Sequence, residues 1–348
     1  MQRFAYRRAS STASAVHMAR SATEVNQAHA QRPSTADTAV QFIAGGTNMT
    51  DYMTLNVLKP ATLVDISRLP RESHARIESD ATGGLRLGAL VRMSQAEDHP
   101  VIRGSYPLIR DTLVLAASRQ IRNMATLGGN ILQRTRCEYY REPSWPCNKR
   151  SPGSGCAALD GVNRQHAVLG TSEHCIATYA GDFAQALIAL DASIETLGGP
   201  RGARRIAFAD LHRLPGTTPH IEHTLAPGEL ITFIDVPAGP WTVRSRYVKV
   251  RDRESYQFAV TSAAVALHLE GRTVREARIA LGGIATVPWR ARQAEELLKG
   301  RVLDETLAMK AAEAALVGAQ PRKENAFKIP LTKHTLVRAL LEAQAMQV

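Results

Sequence analysis

Apolar positions along the chain change period from segment to segment, and each change predicts an element. The run Val40–Ile43 is short and β-like, and it meets the turn sequence AGGTN at 44–48. Beyond the turn, Met49, Tyr52, Met53 and Val57 recur at helical spacing, so the segment reads as strand, glycine turn, helix. A second helical stretch, SRQIRNM at 118–124, leads into TLGGN at 126–130 and then apolar Ile131 and Leu132. LRLGAL at 85–90 and IETLGG at 194–199 read as sheet segments. SRYVKVR at 245–251, AVTSAAVALHLE at 259–270 and VREARIALGG at 274–283 predict three antiparallel strands. Residues 291–299, 304–316 and 331–345 place apolar side chains at a 3.6-residue period and predict three helices.

The two glycine pairs point to a phosphate. Gly45 and Gly46 let backbone approach a ligand closely, Thr47 or Asn48 can cap the following helix, and a helix N-terminus attracts an anion such as a pyrophosphate. The spacing is neither G-x-G-x-x-G nor a P-loop, so the mechanism of neither motif transfers. Thr126, Gly128, Gly129 and Asn130 repeat the Gly-Gly-polar form, which suggests two loops closing over one extended diphosphate. A pair of unrelated tight turns is the bland alternative.

Composition limits the function classes. The chain has 348 residues, 44% of them hydrophobic and 22% charged, with a formal net charge of +11, as expected of a globular chain long enough for two or three domains. No apolar run approaches the roughly 18 residues that span a membrane. Arg7 and Arg8 suggest a twin-arginine signal, but His17, Arg20 and Glu24 interrupt the apolar region that such a signal needs. The expectation is a chain without its own signal, cytoplasmic or carried to the periplasm with a signal-bearing partner. The basic balance could imply nucleic acid, yet no recognition motif is present and aromatics are only 5%.

All four cysteines, Cys137, Cys147, Cys156 and Cys175, fall in one segment spaced C-x9-C-x8-C-x18-C. Four thiols gathered in a Pro- and Gly-rich stretch suggest a single site. Structural zinc favours paired C-x2-4-C half-sites, and disulfide frameworks belong to small secreted domains. An iron–sulfur cluster on four thiolates fits the ligand count. Spacing leaves cluster, zinc and unrelated buried thiols all open. Arg134, Arg136, Arg141, Lys149 and Arg150 flank the first two cysteines against Glu138 and Glu142. Such a loop could offset a cluster's negative charge, dock an acidic partner, or simply be solvated.

Together these segments resemble the FAD-binding subunits of the xanthine dehydrogenase and aldehyde oxidoreductase molybdoenzymes, above all the bacterial aldehyde oxidoreductase type with an extra [4Fe–4S] cluster. FIAGGTN at 42–48, GGLRLGALVR at 83–92, QIRNMATLGGN at 120–130 and GDFAQALIALDA at 181–192 look like successive FAD-domain signatures. PGELI at 227–231, YVKVRDRESYQFAV at 247–260 and ALGGIATVPWRA at 280–291 look like the family's C-terminal domain. The resemblance implies that Ala44, Gly45, Gly46, Thr47 and Asn48, with Thr126, Gly128, Gly129 and Asn130, bind the FAD pyrophosphate. It implies Asp182 beside the ribityl and ring region, with Leu230 and Lys249 near the isoalloxazine. It also implies that Cys137, Cys147, Cys156 and Cys175 hold a [4Fe–4S] cluster.

The implied architecture is α+β: a two-lobed PCMH-type FAD-binding region at 1–237 with the cysteine insert at 137–175, followed at 238–348 by a smaller domain of a three-stranded antiparallel sheet and helices. The segment at 23–41 looks longer and more polar than usual for the family, and is expected to be a disordered surface extension. The implied function is electron transfer: FAD takes electrons from iron–sulfur centres of a small [2Fe–2S] subunit, fed by a large molybdopterin subunit, and passes them to an external acceptor. No Cys/His, Ser/His or paired-carboxylate constellation that would hydroxylate a substrate stands out. A self-sufficient flavin oxidase of related fold and a zinc-stapled nucleotide-binding module remain as competing expectations.

Overall fold

Three sheets organise the computed structural model, which describes residues 1–24, 38–199 and 202–348. Strands β1 (Ala5–Arg8), β2 (Val40–Ile43) and β3 (Thr62–Asp65) form a parallel sheet in the order β1-β3-β2, with both outer strands paired to β3. Parallel neighbours need crossover connections. The helices Thr12–Glu24 and Met49–Thr54 supply them. Ala15, Val16 and Ala19 of the first helix pack on Val40, Val64 and Leu230. Most of the segment expected to be a polar extension, residues 25–37, lies outside the described residues.

The second sheet is wholly antiparallel, in the order β4-β5-β8-β6-β7: β4 (Ile77–Ser79), β5 (Leu85–Gly88), β6 (Ser193–Gly199), β7 (Gly202–Ala207) and β8 (Leu230–Val236). One face carries Leu87, Ile194 and Ile234 into a core with Met93, Ile109, Phe183 and Leu187 from the overlying helices. On the other, Arg86 binds Glu195 at 2.6 Å and Asp235 at 3.0 Å and lies 3.9 Å over Phe233. The two lobes thus separate parallel from antiparallel pairing.

The third sheet runs β12-β11-β10-β9, from β9 (Ser245–Val250), β10 (Thr261–Glu270), β11 (Thr273–Gly282) and β12 (Trp289–Arg290). It therefore has four strands where the sequence predicts three, because the dipeptide Trp289–Arg290 is too short to show a period. Along β10, Val265 and Leu267 point to the C-terminal helices while Ala264 and Ala266 face the FAD-region core. Both faces are covered, which is why this strand reads as a continuous apolar run. The helices Arg292–Leu298, Glu305–Ala315 and Lys328–Ala345 follow, the last starting three residues before the periodic pattern does. Asp304 caps the second by accepting from the Leu307 amide at 2.7 Å. Among the described residues no helix is long and apolar enough to cross a membrane.

Candidate functional site

The two glycine loops meet through their backbones. A Cβ on Gly45 would lie 1.8 Å from the Met124 carbonyl oxygen, so only glycine lets the first loop reach the chain leading into the second. Gly46 has φ +77° and turns the chain into the helix Met49–Thr54. The second pair differs from the expected open turn: Gly128 and Gly129 lie inside the short helix Leu127–Ile131, which Thr126 caps by accepting from the Gly129 amide. A Cβ on Gly128 would stand 3.0 Å from Ala89 Cβ, so glycine there lets the helix approach the turn that follows β5. Asn48 occupies the N-cap position but makes no side-chain capping bond. Its Nδ2 donates instead to the Gly129 carbonyl at 3.2 Å and joins the two loops.

Between the loops opens a cleft. Ala44, Gly45, Gly46, Thr47 and Asn48 line it with Thr126, Gly128, Gly129 and Leu230. Asn130 is not on the wall; its Oδ1 is buried without a hydrogen-bond partner beside it. The loops carry no carboxylate that would repel an anion. Glu222 and Glu229 reach the lining from elsewhere, and each is neutralised: Glu222 by Arg134 and Lys149, Glu229 by Arg204 at 2.7 Å. A glycine-walled, anion-tolerant cleft with an apolar flank at Leu230 fits a dinucleotide such as FAD.

Asp182 and Lys249 meet each other but do not line this cleft. Lys249 Nζ donates to Asp182 Oδ2 at 2.7 Å and to the Leu115 carbonyl at 2.9 Å, and the Tyr247 hydroxyl donates to Asp182 Oδ1 at 2.6 Å. Both charged side chains are 5% exposed or less. Tyr247, which the sequence reading passed over, belongs to this group; its place two residues before Lys249 on one strand face was the available signal.

The cysteine segment buries Cys147 and Cys175 and half-buries Cys137 and Cys156, and all four are free thiols. Cys147 and Cys156 pair through their backbones in an isolated bridge. Burial pushes the Cys137 thiol up to about 12, with Cys147 and Cys175 adding to the rise. Burial likewise takes Cys175 to about 11, with Cys156 and Cys147 adding to it, and raises Cys156. His166 Nε2 lies 3.1 Å from Cys137 Sγ, and burial lowers this imidazole to about 4, leaving it neutral at pH 7. The donor set suits a thiolate-ligated cluster chemically. Among the described residues, however, no group of three or more His, Cys, Asp or Glu side chains is arranged to hold a metal ion.

The basic character of this segment is mostly paired off within the protein. Arg136 and Arg141 both bind Asp51, at 3.0 and 2.7 Å, and Arg134 and Lys149 both bind Glu222. Arg150 donates to the carbonyls of Tyr139 and Tyr140 at 2.8 and 2.7 Å. Burial pushes the Glu222 carboxyl up, but Arg134 and Lys149 outweigh it and hold the group at about 2. Glu222 also lines a small cavity beside Lys149 and Thr135, and Leu132, Arg134 and His223 line both this cavity and the main cleft. Nothing in the sequence near residue 222 announces this role, since the partners lie 88 and 73 positions away.

Comparison with known proteins agrees with this geometry. Residues 3–239 match the family described as the FAD binding domain in molybdopterin dehydrogenase, and residues 246–343 match the CO dehydrogenase flavoprotein C-terminal domain. The chain is 45% identical to the aldehyde oxidoreductase FAD-binding subunit PaoB of Escherichia coli over 306 residues, 88% of this chain and 92% of that protein. It is 26% identical to the carbon monoxide dehydrogenase medium chain of Hydrogenophaga pseudoflava over 309 residues, 88% of this chain and 89% of that one. A crystal structure of carbon monoxide dehydrogenase from the same organism superposes with a TM-score of 0.73 at 23% identity, covering 99% of this chain and 98% of the other. That likeness speaks to the fold. With both domains matched and the cleft built from the expected loops, the chain belongs to the FAD-binding medium subunits of the molybdenum aldehyde oxidoreductase and carbon monoxide dehydrogenase family.

Proposed function

We propose that this chain is the electron-transferring flavoprotein subunit of a molybdenum-dependent aldehyde oxidoreductase. In this reading it works beside a small [2Fe–2S] subunit and a large molybdopterin subunit, and carries a [4Fe–4S] cluster on Cys137, Cys147, Cys156 and Cys175 in addition to FAD. Aldehyde oxidation takes place on the large subunit, partner iron–sulfur centres deliver the electrons, and an external acceptor removes them. FAD, when bound, supplies the exchange between one-electron and two-electron chemistry.

The residues of this chain bind, orient and insulate. Ala44, Gly45, Gly46, Thr47 and Asn48, with Thr126, Gly128 and Gly129, would hold the pyrophosphate with Asn130 behind them, and Leu230 would give the isoalloxazine an apolar wall. The buried Asp182–Lys249 pair would support the site from behind, with Tyr247 fixing the carboxylate. The observation that carries the reading is contiguity: Arg134 and Glu222 line the cleft, and Glu222 also binds Lys149 between Cys147 and Cys156. The likeness to an aldehyde oxidoreductase subunit over nearly the whole chain supports the substrate class. Co-purification with the partners, followed by flavin, iron and sulfide analysis, tests it. A yellow-brown protein with one FAD and one [4Fe–4S] cluster per chain supports the reading; a colourless protein holding zinc refutes it.

A further inference from the structure

Arg136 immediately precedes Cys137, yet its guanidinium leaves the cysteine segment and enters the first glycine loop. One nitrogen donates to Asn48 Oδ1 at 2.9 Å and another to Asp51 Oδ2 at 3.0 Å. The group lies 5.5 Å from the centre of the Tyr52 ring and 5.0 Å from that of Phe258. From the same segment, Arg141 grips Asp51 through both carboxylate oxygens at 2.7 and 2.9 Å. Asn48 is thus engaged at both ends, its oxygen by Arg136 and its nitrogen by the Gly129 carbonyl. Turning the amide over would set NH2 against guanidinium and oxygen against carbonyl, so Arg136 selects the orientation that bridges the loops.

We propose that Arg136 is a positioning residue for the flavin nucleotide: acting through Asn48, it fixes how the two glycine loops sit and makes nucleotide affinity depend on the folding of the cysteine segment. This rests on the cleft being the FAD site. The dependence runs both ways, since a nucleotide that favours the bridged loops favours the placed Arg136 and the folded segment by the same factor. Loss of order in the cysteine segment then loosens the flavin, although no cysteine touches the cleft wall.

The test titrates FAD, followed by flavin fluorescence, into the flavin-stripped full chain as wild type, Arg136→Ala, Asn48→Ala and the double variant, with iron and sulfide measured on each. Each single change should weaken FAD roughly ten-fold, the worth of one charge-assisted hydrogen bond. The double variant should be no weaker than the singles, because the two residues act as one unit. Iron content should stay at the wild-type level. Arg136→Gln, too short to reach Asn48, serves where the alanine variant fails to fold. If Asn48→Ala leaves FAD affinity unchanged, the assignment of the cleft fails. If Asn48→Ala weakens FAD but Arg136→Ala does not, or the two effects multiply, the inference is overturned and the cleft stands. If Arg136→Ala weakens FAD only in proportion to lost iron while Arg136→Gln, with iron retained, leaves FAD affinity unchanged, the inference is also overturned.

Discussion

Replacing Gly45 with alanine puts a methyl group where the Met124 carbonyl already sits. The new Cβ would lie 1.8 Å from that oxygen and 2.6 Å from its carbon, against 3.4 Å for ordinary contact. The obstacle is backbone, so no rotamer change relieves it. The loops must part by about 1.6 Å, and that movement opens the cleft between them. Overpacking on this scale costs about 3 kcal/mol. If it falls on the nucleotide-competent arrangement, FAD binding weakens roughly a hundred-fold. Two other glycines calibrate the scale. Gly128→Ala meets Ala89 Cβ at 3.0 Å, which a small shift can absorb, and should weaken FAD less. Gly104→Ala, in the helix Pro100–Ser105 with nothing within 4 Å, should leave FAD unchanged and stabilise the fold by up to about 1 kcal/mol. Fluorescence titration of the flavin-stripped chains, with urea unfolding beside it, reads both quantities. Gly45→Ala binding FAD as tightly as Gly104→Ala would refute the claim that the approach of the loops builds the cleft.

Lys249→Met should cost about 3–5 kcal/mol in urea unfolding by stranding a buried carboxylate, and adding Asp182→Asn should recover part of that loss; additive costs would contradict a buried pair. Cys147→Ser and Cys156→Ser should each lower iron and sulfide per chain, and full loading in both would remove the cluster assignment. Glu222, held at about 2 below its ordinary 4.5, contributes stability that is complete above pH about 4.5 and lost as pH falls toward 2. Glu222→Gln should therefore flatten the acid limb of the stability profile over that window, and a profile matching wild type would show that the Arg134–Glu222–Lys149 link does not hold the segment.

Local pattern carried the elements whose environment is uniform. The first loop was readable because Val40–Ile43 and the helix after it change period across two glycines. The third sheet was readable because its central strands are buried on both faces. Strand β1 was not, since all four residues of AYRR are exposed and no alternation marks them. TLGGN looked like a turn because glycine usually ends helices, whereas here tertiary approach to Ala89 puts it inside one. The basic run around Cys137 was legible as charge but not as pairing, because its acceptors, Asp51 and Glu222, come from distant parts of the chain. Lys249 was named from the resemblance alone, and the partners that bury it belong to other elements.

Where aldehyde oxidation happens decides whether this chain is a relay or an oxidase. The chain purified alone and loaded with FAD, and its complex with the proposed small and large subunits, should be compared for multiple-turnover oxidation of an aldehyde and for dye reduction by dithionite. The relay reading predicts that both preparations carry electrons from dithionite to the dye and that only the complex turns over aldehyde. Sustained aldehyde oxidation by the isolated, molybdenum-free chain would contradict it.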